Sequence, residues 1–377
     1  MKILHFGPSL VPLLHDRGGA CERRVVELAA AQVARGDEVT VLSRGEVRES
    51  TAHRGIRVES RPVRLEGVPR SYEILWHARR LARAYRPDIV HVHGLPDGAL
   101  ALKGLGLPSV LTVDWYRFWV SRRTLTGRLE KAYMSRALNH FSAVMPDSPV
   151  SAELFTNFWG KSKPLSVVPE GVALEQFHPD HDAGERWRAE RGLSGTIVLY
   201  VGRLCEQKGT DVLLRAWEAN FAGKGPTLVL AGPIGRFGRE KENLPLRQRV
   251  DRAGAVYLGP VPERELPAVY NSCDVFIMPT TRGEMFGMAA LEAQACGKPV
   301  VASRCGALPG TVGPEAGAFF DPGDSEGLTG ALGPLLEDRD LRQQMGTAAA
   351  CHASRFGWPS IAERVAAVYT AALGRPA

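Results

Sequence analysis

Short apolar runs rich in β-branched residues alternate with longer stretches of helical period along the chain, and the alternation runs through twice. The first series is KILHF (2–6), VTVL (39–42), DIVHVH (88–93), SVLTV (109–113), SAVM (142–145) and LSVV (165–168). Near-continuous apolar runs of this length read as strands buried on both faces, the pattern of a parallel sheet. Between them, ERRVVELAAAQVARG (22–36) and SYEILWHARRLARAY (71–85) carry helical period and end at glycine or proline punctuation. The rhythm restarts with TIVLYVG (196–202), TLVLAG (227–232), AVYLG (255–259), DVFIMP (274–279), PVVAS (299–303) and AFFD (318–321). The fold class that follows is α/β, with two Rossmann-like domains expected to face each other across a cleft and to bind ligands at the carboxyl ends of their strands. PEGVALEQFHPDHDAGER (169–186) reads as the linker, so the expected domains are 1–175 and 176–355. The amphipathic WPSIAERVAAVYTAAL, within 356–377, is expected to pack back toward the N-terminal domain.

The balance of 47 Lys and Arg against 41 Asp and Glu gives a formal net charge of +6, a bias toward anionic small ligands such as nucleotides; nucleic acid is not expected as a partner. The six cysteines form no CxxC pair, so neither a zinc site nor a disulfide framework is indicated, and a cytoplasmic location fits. MKILHFG is too short an apolar run for a signal peptide, and no apolar run reaches membrane-spanning length.

Within GEMFGMAALEAQACGKPVVAS (283–303), Met288, Leu291 and Ala295 mark the inward stripe of a helix, and Glu292 falls on the same stripe. An inward carboxylate either escapes to solvent, pairs with a base or meets ligand hydroxyls. Glu284 lies in the preceding loop, and the backbone N–H groups of Phe286, Gly287 and Met288 gather at the helix start, where an anion is favoured. Arg203 and Lys208 flank a glycine-containing loop after a strand and would suit a diphosphate. In HDRGGACERR (15–24), Gly18 and Gly19 precede the first helix, where they serve either phosphate approach or a tight turn. The spacing is not G-x-G-x-x-G and no acidic residue ends the second strand, which argues against a nicotinamide cofactor. Asp180-His181-Asp182 and Asp338-Arg339-Asp340 have metal-motif spacing but sit in the linker and at a helix start, so no metal is expected. His91 and His93 are read as pointing to opposite faces of their strand, with His93 the cleft residue and His91 packed.

The pair Glu284 and Glu292, with the AQACGKPVVAS that follows, resembles the E-x7-E signature of the retaining GT-B glycosyltransferases of family GT4. VGRLCEQKGTDVLLRAW (201–217), LGPVPERELPAVYNSCDVFIMPT (258–280) and FGWPSIAERVAAVY (356–369) are similar to further segments of that family. The resemblance implies that Glu292 holds ribose, Glu284 contacts the donor sugar, and Arg203 and Lys208 hold the diphosphate. It places Gly19, Val261, Phe286, Gly287 and Met288 at the donor as well, and makes Glu284 and Asp114 the catalytic candidates. His93, Asp114 and Trp115 become acceptor candidates on the N-terminal side.

Three departures from the family pattern stand out. Asp114 in LTVDWYRFW takes the place of a histidine beside the donor sugar, and it would hold an amino group, accept the nucleophile's proton or cap its loop. In CGALPG (305–310), Gly310 replaces a glutamate and Ala307 a glycine; PEGVA (169–173) stands where P-N-G-V-D is common. The run WYRFWVSRR (115–123) would stack an acceptor ring, touch a membrane or form a buried cluster.

The expectation is a retaining, metal-independent transferase moving a sugar from a nucleoside diphosphate sugar, UDP-sugar favoured, to a small polar acceptor. An aminocyclitol or amino sugar in specialised metabolite biosynthesis is the favoured acceptor. The alternatives are a peripheral membrane enzyme with a lipid or cell-envelope acceptor, supported by the basic helix with Tyr72, Trp76 and Tyr85, and a nucleotide-sugar epimerase or an inactive sugar-nucleotide-binding protein.

Overall fold

The structure is a computed structural model that describes residues 1–7, 20–62, 70–95, 98–113, 125–160, 164–235 and 244–374. The chain forms two compact units, one of residues Met1–Gly171 with Trp358–Ala377, the other of Val172–Gly357.

The first unit runs β1 (Lys2–Phe6), α1 (Ala20–Ala34), β2 (Glu38–Gly45), β3 (Glu49–His53), β4 (Ile56–Pro62), α2 (Arg70–Tyr85), β5 (Ile89–His93), α3 (Gly98–Leu102), β6 (Ser109–Val113), α4 (Leu125–Leu138), β7 (Ala143–Pro146) and α5 (Pro149–Trp159). Its seven strands lie in the order β3-β4-β2-β1-β5-β6-β7, all parallel except the β3–β4 pair. Five of the six expected strands are present. The LSVV run forms only an isolated bridge from Leu165 to Val144 and is not a regular strand. The β3–β4 hairpin escapes sequence reading because ESTAH has no apolar alternation and β3 is almost wholly exposed at the sheet edge. Burial of Leu4, Phe6, Ile74, Leu75, Val90, Val92 and Leu111 forms this unit's core.

The second unit runs α6 (His181–Glu190), β8 (Ile197–Val201), α7 (Thr210–Asn220), β9 (Thr227–Ala231), α8 (Leu244–Arg252), β10 (Val256–Gly259), α9 (Leu266–Asn271), β11 (Val275–Met278), α10 (Met288–Ala295), β12 (Val300–Ser303), α11 (Leu308–Thr311), β13 (Gly317–Phe320), α12 (Ser325–Glu337) and α13 (Arg339–Ala353). The six parallel strands are ordered β10-β9-β8-β11-β12-β13. Counted within the unit this is the 3-2-1-4-5-6 order of a doubly wound sheet, whose direction of winding reverses between β8 and β11. The stretch read as a linker is partly helical, since α6 opens at His181 with Asp180 as its cap, the carboxylate accepting from Ala183 N at 2.9 Å. Asp338 caps α13 in the same way, accepting from Leu341 N at 2.9 Å.

The final helix α14 (Trp358–Ala372) belongs to the first unit and packs on α1. Among the described residues no helix is long and apolar enough to cross a membrane.

Candidate functional site

Adjacent strands whose connections leave in opposite directions open a crevice at their carboxyl ends, and β8 and β11 are such a pair. The loop after β8 carries Arg203 and Lys208, and the loop after β11 carries Glu284. They meet. Lys208 Nζ lies 2.6 Å from Glu284 Oε2, and the Thr280 hydroxyl donates to the same oxygen at 3.2 Å. Arg203 is half-buried, and among the described residues its guanidinium makes no hydrogen bond or ion pair.

Both loops are pinned by their backbones. The Thr281 N–H donates to Gln207 O at 3.0 Å and its hydroxyl to Glu206 O at 3.0 Å, joining one loop to the other. Ser303 at the end of β12 donates to Thr280 O at 2.5 Å, Ala307 N to Glu284 O at 2.9 Å, and the Thr311 hydroxyl to Phe286 O at 2.5 Å. This packing leaves no room for side chains at two glycines. A Cβ on Gly209, at φ +71°, would overlap the Pro279 carbonyl, and one on Gly306, at φ +57°, would overlap that of Glu284. On the β8 side, the buried Tyr200 hydroxyl donates to Arg203 O at 2.7 Å and fixes the backbone beneath that guanidinium.

Helix α10 then begins with Gly287 as its N-cap residue, and the Gly287 carbonyl accepts from Ala290 and Leu291. Among the described residues the N–H groups of Phe286, Gly287 and Met288 donate to nothing, so three amides stay available at a helix start. Phe286 and Gly287 are buried and Met288 is half-buried. The inward-stripe expectation for α10 needs correction, because every residue from Ala290 to Ala295 is buried. The helix is enclosed on all sides, which is why it is built of alanines. Enclosure forces its polar residues to find partners. Gln294 donates to Ala290 O and Thr311 O and accepts from Gly313 N. Glu292, 3% exposed, accepts from the Tyr270 hydroxyl at 2.8 Å. Sequence reasoning missed Tyr270, whose apolar setting in LPAVYN reads as core. Val261, expected at the nucleotide base, is half-buried in the loop after β10.

Gly19, Asp114 and Trp115 lie outside the described residues. His93 is described, and its expected orientation relative to His91 is corrected. Residues two apart on a strand share a face, and the two rings stack with centroids 3.9 Å apart. Both are fully buried together with His5 of the neighbouring strand. The Gln32 amide donates to the Tyr369 hydroxyl at 3.2 Å, so that hydroxyl donates to His91 Nδ1 at 2.7 Å and His91 Nε2–H to Thr112 Oγ1 at 2.6 Å. Gln32 Oε1 accepts from His5 Nε2–H at 2.8 Å, leaving His5 Nδ1 to accept from His93 Nε2–H at 2.9 Å. Five of the six ring nitrogens are thereby satisfied in neutral rings, and only His93 Nδ1 lacks a partner. The three rings are close enough to hold a metal ion, but ligation would require breaking this network. Burial pushes the His5 pKa down to about 4 and holds His91 and His93 well below the ordinary histidine range.

The departure at PEGVA has a structural partner, since Glu170 forms a buried ion pair with Arg24 at 2.5 Å. Gly310, by contrast, is exposed, and a Cβ there would meet nothing within 4 Å. The glutamate common at that position is therefore not excluded by space.

Comparison with known proteins bears on these two units. Residues 18–176 match the model of Glycosyltransferase Family 4, and residues 185–351 that of Glycosyl transferases group 1. The chain is 30% identical over 411 residues to D-inositol 3-phosphate glycosyltransferase of Acidothermus cellulolyticus, a match covering 99% of this chain and 90% of that one. It is 40% identical over 216 residues to the protein of that name from Corynebacterium jeikeium, where the match covers 54% of this chain and 51% of the relative. Among solved structures, sucrose-phosphate synthase from Thermosynechococcus elongatus superposes with a TM-score of 0.83 at 22% identity, over 99% of this chain and 100% of that one. HepE of Anabaena, solved in complex with UDP-glucose, superposes at 0.78 and 22% identity over 98% and 100%. Two parallel-sheet α/β units of GT-B type, each matched over most of its length by one of the two family models, and a relative 30% identical over nearly the whole chain place this chain in glycosyltransferase family 4.

Proposed function

We propose that the chain transfers a sugar from a nucleoside diphosphate sugar, UDP-sugar favoured, to a small polyol acceptor with retention at the anomeric carbon and without a metal ion. The observation that carries the reading is the Lys208–Glu284 contact at the sheet's reversal point, beside the uncommitted Arg203 and the open amides at 286–288. The bond from the anomeric carbon to the diphosphate oxygen breaks as the bond to the acceptor oxygen forms on the same face, and the acceptor hydroxyl's proton passes to the departing diphosphate oxygen. The departing charge is met by Arg203, Lys208 and the helix-terminal amides, which suits them to the transition state more than to the ground state. An ammonium has three donors, so Lys208 can keep Glu284 and still reach a phosphate. Held this way, Glu284 is placed to accept from a donor-sugar hydroxyl, while the buried Glu292 accepts from ribose. Gly19 is assigned to the phosphates and Val261 to the base.

For the acceptor, the relatives' name points to a phosphorylated cyclitol, and a net charge of +6 suits an anionic partner. An aminocyclitol or amino sugar held by Asp114 is the competing choice, with His93 and Trp115 as further acceptor residues. Among the described residues the lipid-acceptor alternative is supported by Trp76, which is exposed beneath the Arg80 guanidinium at 4.7 Å, whereas the Tyr72 side chain and the run 115–123 lie outside them. Tyr85 does not join it, being turned inward with its hydroxyl 3.2 Å from Glu38 O. Six free thiols suit the cytoplasm.

The test is a transfer assay with UDP-glucose and UDP-N-acetylglucosamine against inositol 3-phosphate, an aminocyclitol and lipid vesicles, with the product's anomeric configuration read by NMR. Retention on one of the soluble acceptors supports the proposal. An inverted product, or conversion of the donor to its epimer without any acceptor, overturns it.

A further inference from the structure

We infer that Thr280 is a positioning residue of the donor site, one that holds the Glu284 carboxylate in place once Lys208 is shared with a diphosphate. The inference rests on the reading of Glu284 as the donor-sugar contact. Its basis is that one carboxylate oxygen carries two unlike donors. Glu284 Oε2 accepts from Lys208 Nζ at 2.6 Å and from the Thr280 hydroxyl at 3.2 Å, and among the described residues Oε1 takes no hydrogen bond or ion pair. The two donors differ in freedom. Lys208 is half-buried at the end of a flexible stem, and its ammonium has several protons to distribute. Thr280 is buried, its β-branched side chain is stiff, and the single proton of its hydroxyl goes to Glu284. Its backbone is tied on both sides. Ser303 donates to Thr280 O at 2.5 Å from the end of β12, and the next residue, Thr281, donates its N–H to Gln207 O at 3.0 Å in the loop after β8.

With no ligand bound, the charged contact at 2.6 Å is the stronger of the two. A diphosphate draws part of the ammonium's charge to its own oxygens, so the hold of Lys208 on Glu284 weakens when the donor sugar arrives. The threonine hydroxyl keeps its partner. Oε2 therefore stays anchored through the change, and Oε1 remains the oxygen left for the sugar. An ionised carboxylate only accepts, so the sugar group that it meets is a donor, a hydroxyl or an amide N–H. An orientation fixed in advance is one that binding does not have to freeze.

Thr280→Val keeps the branched shape and removes the hydroxyl, whereas Thr280→Ser keeps the hydroxyl and removes a methyl group. Wild type, both variants, Glu284→Ala and Thr280→Val combined with Glu284→Ala are titrated calorimetrically in chelator. The ligands are UDP, GDP and ADP, and the glucose and N-acetylglucosamine derivatives of whichever binds. Thr280→Val is expected to weaken the nucleotide sugar about tenfold and to leave the nucleoside diphosphate within about twofold. Thr280→Ser should stay within about threefold of wild type for both, and Thr280→Val should add less than about twofold in the Glu284→Ala background. Retained diphosphate affinity also shows that the variant site is folded. Equal weakening of both ligands, or no weakening of the nucleotide sugar, overturns the inference while leaving the reading of Glu284 intact. A nucleotide sugar bound as tightly by Glu284→Ala as by wild type, or a wild type that binds none of the three diphosphates, overturns that reading and the inference with it.

Discussion

Lys208 Nζ stands 2.6 Å from Glu284 Oε2, joining the loop that follows β8 to the loop that follows β11. Glu284 is 8% exposed, so removing its cation leaves a charge with few ways to reach water. Lys208→Met is expected to cost about 1–3 kcal/mol of stability, and Lys208→Met with Glu284→Gln to recover part of it. Neither variant should transfer sugar. Urea unfolding of the single and double variants checks the first statement, and the transfer assay the second.

Arg24 and Glu170 form a buried ion pair inside the first unit, with both residues under 10% exposed. Breaking such a pair from one side is expected to cost about 3–5 kcal/mol. Arg24→Ala should therefore lower the unfolding midpoint sharply. Arg24→Met combined with Glu170→Leu should restore most of the loss, which denaturant titration reads directly.

Gly306→Ala puts a methyl group into the Glu284 carbonyl and demands an L residue at φ +57°. The expected cost is at least about 2 kcal/mol, with donor affinity falling because the backbone of Glu284 must move. Gly310→Glu is the contrast. Its Cβ meets no atom within 4 Å, so stability should change by less than about 0.5 kcal/mol, while KM for the donor shifts if the new carboxylate reaches the sugar.

The buried histidines predict acid sensitivity of a definite sign. His5 has a folded pKa of about 4 against an ordinary 6.5, so the native state binds fewer protons than the unfolded chain between those values. Stability is then full above about pH 6.5 and is lost as pH falls toward 4, by an amount on the order of 3 kcal/mol for His5. His91 and His93 shift in the same direction and add to the slope. Unfolding midpoints measured from pH 7 to pH 4 should fall steeply in wild type and less steeply in His5→Gln.

The fold was legible in the sequence because buried parallel strands announce themselves as apolar runs, and eleven of the thirteen strands among the described residues lie in stretches read that way. The two missed, β3 and β4, pair at the sheet edge where apolar alternation is weak. Helix α6 was hidden by HDAGERWRAE, whose charged composition reads as linker although Trp187 is buried. At the candidate site, Glu284, Glu292 and Lys208 could be singled out because charge in an otherwise apolar, glycine-marked setting is conspicuous. Tyr270 could not, since a tyrosine among apolar residues shows its packing and conceals its hydroxyl's partner. The pairing of Glu170 with Arg24 links positions far apart in the chain, a relation that no local pattern encodes.

Binding of a nucleoside diphosphate in the presence of chelator tests the central claim most directly. Thermal unfolding of wild type and Glu292→Ala would be followed with UDP, GDP, ADP and TDP in turn. A clear upward shift of Tm with one of these, present without metal and lost in Glu292→Ala, is the predicted result. No shift with any of them, or a shift that Glu292→Ala retains in full, would contradict the assignment of this site to a nucleotide-sugar donor.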